Sequence, residues 1–274
     1  MTSSSEFRPL PATHCLLVSR DGFTLFVTLN SPDVRNAMSA QAWRELGDIF
    51  DSIRDDCTIR VVVIRGAGGN FSAGGNTKER DEMATGSSGE QLIIERNSAG
   101  GKVLAKVDSA PQVVIAVVQG YALGGGLGLT CVADIVIADE SAIFRLPEVT
   151  IGVIPAQIAP YLVRRVGMSQ ARRLALSAVA VRAAEAHNLG LVHLLCKDEV
   201  ELNQAVAELL IDQDRCGPSA VAATKELLAS VEAMDPTFVE SAAHRFAAVY
   251  SSEEGQEGVR SMKERRKPKW CGGS

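Results

Sequence analysis

Between Val113 and Val118 an unbroken apolar, mostly β-branched run demands a buried strand, and it stops at Gly120, shortly before Gly124-Gly125-Gly126-Leu127-Gly128. The apolar residues that follow predict a helix from about Gly125 to Val132 and another strand from Asp134 to Ala138. Glycines at a strand-to-helix turn leave backbone N–H groups bare, pointing out of the first helical turn. Such a turn holds an anion. The glycines are consecutive, without the Gly-x-Gly-x-x-Gly spacing of a dinucleotide site, and no Lys-Ser or Lys-Thr follows as in a P-loop. The expected client is an oxyanion that develops during a reaction.

One amide makes a poor oxyanion hole, so a second is expected from elsewhere. Gly66-Ala67-Gly68-Gly69-Asn70-Phe71-Ser72-Ala73-Gly74-Gly75-Asn76 follows another apolar run, Val61 to Ile64, and repeats the strand-glycine pattern. Two such junctions can aim their amides at one atom. Downstream, Phe144-Arg145-Leu146-Pro147-Glu148 sets a carboxylate in apolar surroundings, where partial loss of water raises its pKa and suits it to acid/base work.

The remaining chain fills in a mixed α/β fold. Asp21-Gly22 between two apolar segments predicts an N-terminal hairpin, and Ser39 caps a helix whose Trp43, Leu46, Ile49, Phe50 and Ile53 keep the helical period. Strand, helix and strand then alternate through three rounds, which argues for stacked β-β-α units. A polar, Gly/Ser-punctuated segment over 77–89 predicts a surface loop. After Pro155 the pattern is helical nearly to the end, with one strand expected over Leu191 to Leu195 and separate helices over Ile158 to Val166 and Ser169 to Leu176. The organisation expected is a disordered start over 1–12, a core carrying the site over 13–200 and a helical region over 201–274.

Composition excludes several classes. A net charge of −5 gives no general basis for binding nucleic acid or an anionic membrane, the basic tail being a local exception. The 11 N-terminal residues lack the apolar stretch of a signal peptide and no run suffices to cross a bilayer, so a cytoplasmic protein is expected. The six cysteines form no Cys-x-x-Cys pair and are expected to be reduced, and the four histidines show no metal-ligand spacing, so no metal is expected.

With both glycine junctions, Leu29-Asn30-Ser31-Pro32, Arg35-Asn36-Ala37 and Pro147-Glu148 in order along the chain, the sequence resembles the crotonase superfamily, the enoyl-CoA hydratase/isomerase family. The resemblance runs nearly end to end. It implies a crotonase-like spiral of β-β-α units with a helical C-terminal oligomerisation region, assembling as a trimer or as a hexamer of paired trimers. It also implies an acyl-CoA thioester substrate, with coenzyme A as part of that substrate and no separate cofactor. Gly75 and Gly125 match the family's oxyanion-hole amides and Glu148 its catalytic Glu. Backbone at Arg35, Ala37, Ser72, Ala73 and Gly74 matches positions that face coenzyme A, as do Met262 and Arg265, often across a subunit boundary. The basic cluster Lys263, Arg265, Arg266, Lys267 and Lys269 offers phosphate partners, although for most of it a solvated tail is the favoured reading.

Gly128 departs from the pattern. Ordinary hydratases of the family carry a second Glu there, so a two-carboxylate mechanism is not expected from these positions. Pro155-Ala156-Gln157-Ile158-Ala159-Pro160, the stretch from Arg164 to Leu176 and the terminal Arg266-Lys267-Pro268-Lys269-Trp270 resemble isohexenylglutaconyl-CoA hydratases of citronellol and geraniol breakdown. That implies hydration of a branched, carboxylated enoyl thioester. Asn76, Arg145 and Gln157 are the candidates to orient the extra carboxylate. A Δ3-Δ2 isomerase, a 3-methylglutaconyl-CoA or general enoyl-CoA hydratase, and a weakly catalytic relative kept for RNA binding or assembly remain as alternatives.

Overall fold

The computed structural model describes residues 10–76, 90–231 and 238–272. The expected loop over 77–89 and most of the expected disordered start therefore lie outside the described residues. Within that start, Leu10 is described and lies partly buried against the core.

The chain opens as expected with an antiparallel hairpin, β1 (Leu16–Asp21) and β2 (Thr24–Leu29), whose turn is made by Gly22 at φ 53°. Helix α1 (Ala40–Ile53) starts where Ser39 accepts a hydrogen bond from the Ala42 N–H. Strand β3 (Val61–Gly66), helix α2 (Glu90–Asp108), strand β4 (Val113–Val118), strand β5 (Tyr121–Leu123) and helix α3 (Gly125–Val132) follow. Next come β6 (Ile135–Asp139), β7 (Ile143–Arg145), α4 (Ala159–Ser177), β8 (Val181–Arg182), α5 (Ala183–Asn188) and β9 (Leu194–Cys196). The chain ends in α6 (Glu199–Asp214), α7 (Pro218–Ser230), α8 (Phe238–Ser251) and α9 (Glu253–Lys263).

The main sheet runs β1-β2-β3-β4-β6-β9, parallel from β2 onward, with Val61 facing Val113 and Ile115 facing Ile135 across the ladders. Every residue of β4 is buried, because both faces of the sheet are covered. Val114, Ala116 and Val118 enter one cluster with α1, α2 and α3; Val113, Ile115 and Val117 enter another with Leu202 and Val206 of α6. Helix α6 thus packs with the core, although the expected boundary at 200/201 assigned it to the C-terminal region.

Two departures have local causes. A second sheet, β5-β7-β8, was not expected, since strands of three, three and two residues carry no readable alternation. The two helices expected over 158–176 are present within α4 and meet, as expected, at a kink where Gly167 takes φ 73°, ψ 160°. Strand β9 begins three residues later than expected, because Leu191 and Val192 are buried ahead of it in the bend. No helix among the described residues is long and apolar enough to cross a membrane.

Candidate active site

The small sheet and the hairpin exit together hold the first glycine junction. Segment 71–76 lies between them: Ser72 N–H donates to Tyr121 O at 2.7 Å and Leu123 N–H donates to Ser72 O at 2.9 Å on one side. On the other, Ala73 N–H donates to Arg35 O, Met38 N–H to Gly74 O at 2.6 Å and Asn76 N–H to Met38 O at 3.2 Å. Asn36 pins the turn. It is 1% exposed, sits at φ 55°, donates through Nδ2 to Ala67 O and Asn70 O and accepts through Oδ1 from Ser31 N–H. The fully buried Ser72 hydroxyl donates to Asn36 O and accepts from Gly74 N–H. The ladder uses the groups on either side of Gly75 and leaves its own N–H out.

The second junction turns at Gly124, whose φ of 47° and ψ of −116° suit glycine and few other residues, and α3 starts at Gly125. Gly125 N–H is the first of that helix and has no acceptor inside it. The two junctions touch: a Cβ on Gly74 would lie 2.9 Å from Leu123 O and 3.7 Å from Gly124 Cα. Glu148 closes the same seam, its Oε1 lying 3.0 Å from where a Gly124 Cβ would stand. The two expected turns and the expected carboxylate are therefore brought together.

Glu148 is the first residue of a short turn, Glu148–Ile151, entered through Pro147. Burial pushes its pKa up from the usual carboxylate value, with its own backbone N–H pulling weakly the other way. Its Oε2 is buried and without a hydrogen-bond partner among the described residues, so one carboxylate oxygen is free for a guest.

The side where family members carry a second Glu is apolar here. A Cβ on Gly128 would meet Ile158 Cγ1 at 3.1 Å and Leu104 Cδ1 at 3.3 Å, a tight apolar fit that a longer side chain would have to push aside. Trp43, read from sequence as a core position of α1, instead flanks the site: its Cζ2 lies 2.9 Å from a Cβ placed on Gly125, and the indole also faces Gly100 of α2. Only the contact with Gly125, distant in the chain, identifies it; the helical period could not.

Other expected residues are placed less simply. Arg145 Nε donates to Ala178 O at 2.7 Å, capping the left-handed end of α4, and the guanidinium is absent from the influences on Glu148. Gln157 Nε2 donates to Asn97 Oδ1 at 2.8 Å and its side chain lies over Gly101 of α2. Both candidates for holding an extra carboxylate thus have protein partners, supplied by a helix end and by α2. Arg35 is exposed at φ 51°, with its guanidinium 5.3 Å from the Tyr121 ring centroid, and Ala37 N–H donates to Val34 O. Helix α9 packs on α7 and α8, leaving Met262 71% exposed, and Arg265 follows at φ 54°. Arg266 is not a free phosphate partner: it pairs with Glu264 and with Glu257, whose carboxyl it holds down at about 2.

Among the described residues no three His, Cys, Asp or Glu side chains are grouped to hold a metal ion. Two concavities, of about 310 Å³ beside Gln112 and Cys216 and about 360 Å³ beside Asp134 and His193, include neither glycine junction nor Glu148.

Comparison with known proteins agrees with this geometry. "Probable enoyl-CoA hydratase" of Bacillus subtilis is 34% identical over 254 residues, covering 92% of this chain and 96% of its own. "Mevalonyl-coenzyme A hydratase sidH" of Aspergillus fumigatus is 33% identical over 263 residues, covering 93% and 94%. The solved structure "Pseudomonas aeruginosa AtuE" superposes with a TM-score of 0.91 at 42% identity, covering 94% of this chain and 99% of that one. The model of the family described as enoyl-CoA hydratase/isomerase matches residues 22–273, and the chain, with its mixed α/β core and helical C-terminal region, belongs to that family.

Proposed function

We propose that the protein adds water to a branched, carboxylated enoyl-CoA, isohexenylglutaconyl-CoA above all, using one carboxylate. The observation that carries this is the seam where Gly74, Gly124 and Glu148 meet, with Glu148 Oε2 buried and unpartnered. The thioester oxygen takes hydrogen bonds from Gly75 and Gly125 N–H. Glu148 removes a proton from water as the water oxygen bonds to the β-carbon, and the electron pair of the double bond moves into an enolate. Glu148 then delivers that proton to the α-carbon and is again ionised. Each oxyanion donor contributes about 3–4 kcal/mol to such a transition state.

The substrate class rests on what surrounds Glu148. Gly128 supplies no carboxylate and its Cβ position faces Ile158 and Leu104, so in this reading the substrate's own carboxylate orients the water. Asn76, Arg145 and Gln157 are the residues nominated to orient that carboxylate. A relative named for mevalonyl-coenzyme A supports a β-branched acyl group. Coenzyme A lies along Arg35, Ala37 and Ser72–Gly74 and meets Met262 and Arg265 of a neighbouring copy in a trimer or hexamer. Exposed Leu228, Phe246, Tyr250 and Met262 supply apolar surface for that assembly.

The test is a panel of isohexenylglutaconyl-CoA, 3-methylglutaconyl-CoA and crotonyl-CoA, read by mass spectrometry with wild type and Glu148→Gln. Hydration of the first substrate alone, lost in the variant, is the expected result; full activity in Glu148→Gln removes the base. The apolar wall at Gly128 also favours a second reading, an isomerase moving one proton between carbons. A β,γ-enoyl-CoA converted to the conjugated thioester without any hydroxyacyl product selects that reading.

A further inference from the structure

Helix α3 ends as tightly as it begins. Its residues from Gly126 to Val132 are all buried, and its terminal carbonyls, which lack acceptor duty inside the helix, take a protein donor at the rim of the concavity beside Asp134 and His193. Arg165 of α4 supplies them: Nη2 donates to Thr130 O at 3.2 Å, to Cys131 O at 3.0 Å and to Ala133 O. Its Nη1 lies 3.2 Å from His193 Nε2, and His193 Nδ1 accepts from Val136 N–H at 2.8 Å.

Arg165 is two helical turns beyond Ile158, with fully buried Leu162 between them on the same face. The α4 side therefore grips α3 twice, through Ile158 against Gly128 near its start and through Arg165 at its end. Eight residues make a helix about 12 Å long. A tilt of about 5° about the Arg165 end would move the Gly125 amide by about 1 Å, a displacement that costs about 10²-fold in rate.

We infer that Arg165 is a positioning residue for the Gly125 oxyanion donor, acting through the carboxyl end of α3 without touching substrate. The inference rests on the thioester reading above. All three carbonyls are reached by Nη2, one atom farther along the side chain than a lysine ammonium extends, so Lys is a poor replacement.

The experiment binds a cinnamoyl-type CoA thioester, whose absorption moves to the red when its carbonyl is polarised, to wild type, Arg165→Met, Arg165→Lys and Arg173→Ala. Arg173 pairs with Glu185 on the solvent side of α4 and serves as control. The expected result is a red shift in wild type and the control, and a shift reduced by more than half in both Arg165 variants with Kd changed less than threefold. On the hydrated substrate, kcat should fall about 10²-fold with KM changed less than threefold, and millimolar guanidinium should restore part of kcat in Arg165→Met. A full shift and kcat within twofold of wild type in Arg165→Lys, which keeps the charge and most of the volume, overturns the inference. Absence of any shift in wild type overturns the thioester reading itself, a separate outcome.

Discussion

At Glu148, burial raises the folded-state pKa above the ordinary carboxylate value, and two consequences follow. Activity should rise with pH through that raised value, because the base must be ionised before water is activated; a kcat/KM profile with its acid limb at an unshifted carboxylate pKa would contradict this. The folded protein also binds this proton more tightly than the unfolded chain does. The resulting stability is complete below the unfolded pKa and is lost as pH rises through the folded one. Glu148→Gln should therefore melt above wild type at neutral pH and lose that advantage in acid, while its turnover falls by about 10²–10⁴-fold. Gly128→Glu should not install a second catalytic group: it forces a carboxylate onto Ile158 and Leu104, and we expect a loss of about 1–3 kcal/mol in denaturant unfolding with no gain in crotonyl-CoA hydration. Glu148 was legible because its place after Pro147 matches the family's catalytic Glu; a lone loop Glu in apolar sequence is usually solvated. Asn36 was noticed only within a family motif, and its role as the pin of the first junction depends on partners 31 to 36 residues away in the chain. Asn36→Ala would leave Ser31 N–H and Ala67 and Asn70 carbonyls unpaired and place a Cβ-only residue at φ 55°; a loss of about 2–4 kcal/mol by chemical denaturation is expected.

At the scale of elements, the strands that were legible are those buried on both faces. Continuous β-branched runs at Val61 and Val113 leave no other reading, and Ser39 and Asp198 mark helix starts by capping them. The short strands β5, β7 and β8 were illegible because pairing, and not periodicity, makes them strands. They matter for the site: β5 holds Ser72 and Leu123 together, and β7 delivers Pro147-Glu148 beside Gly124. A substitution that breaks this sheet should therefore harm catalysis more than stability. In Ala122→Asp a charge replaces a fully buried methyl between the two junctions; soluble protein recovered from it should show kcat reduced at least 10²-fold, measured against Thr224→Asp on exposed α7 as control.

Across the whole molecule, exposed apolar side chains occur on several elements, and those on the C-terminal helices include Leu228 at 64%, Phe246 at 69% and Met262 at 71%. A chain expected to trimerise has its contact residues exposed when alone, and their helical spacing cannot be told from that of a packed helix in sequence. Phe246→Arg should shift the sedimentation coefficient to that of a 29.1 kDa monomer and raise KM for the CoA thioester, if Met262 and Arg265 reach a neighbour's site. An unchanged assembly would exclude this face. The most direct test of the central arrangement is the infrared carbonyl stretch of a ¹³C=O-labelled enoyl-CoA bound to Glu148→Gln. If Gly75 and Gly125 donate to that oxygen, the band falls well below its frequency in water; a band at the aqueous frequency with thioester fully bound would contradict the account.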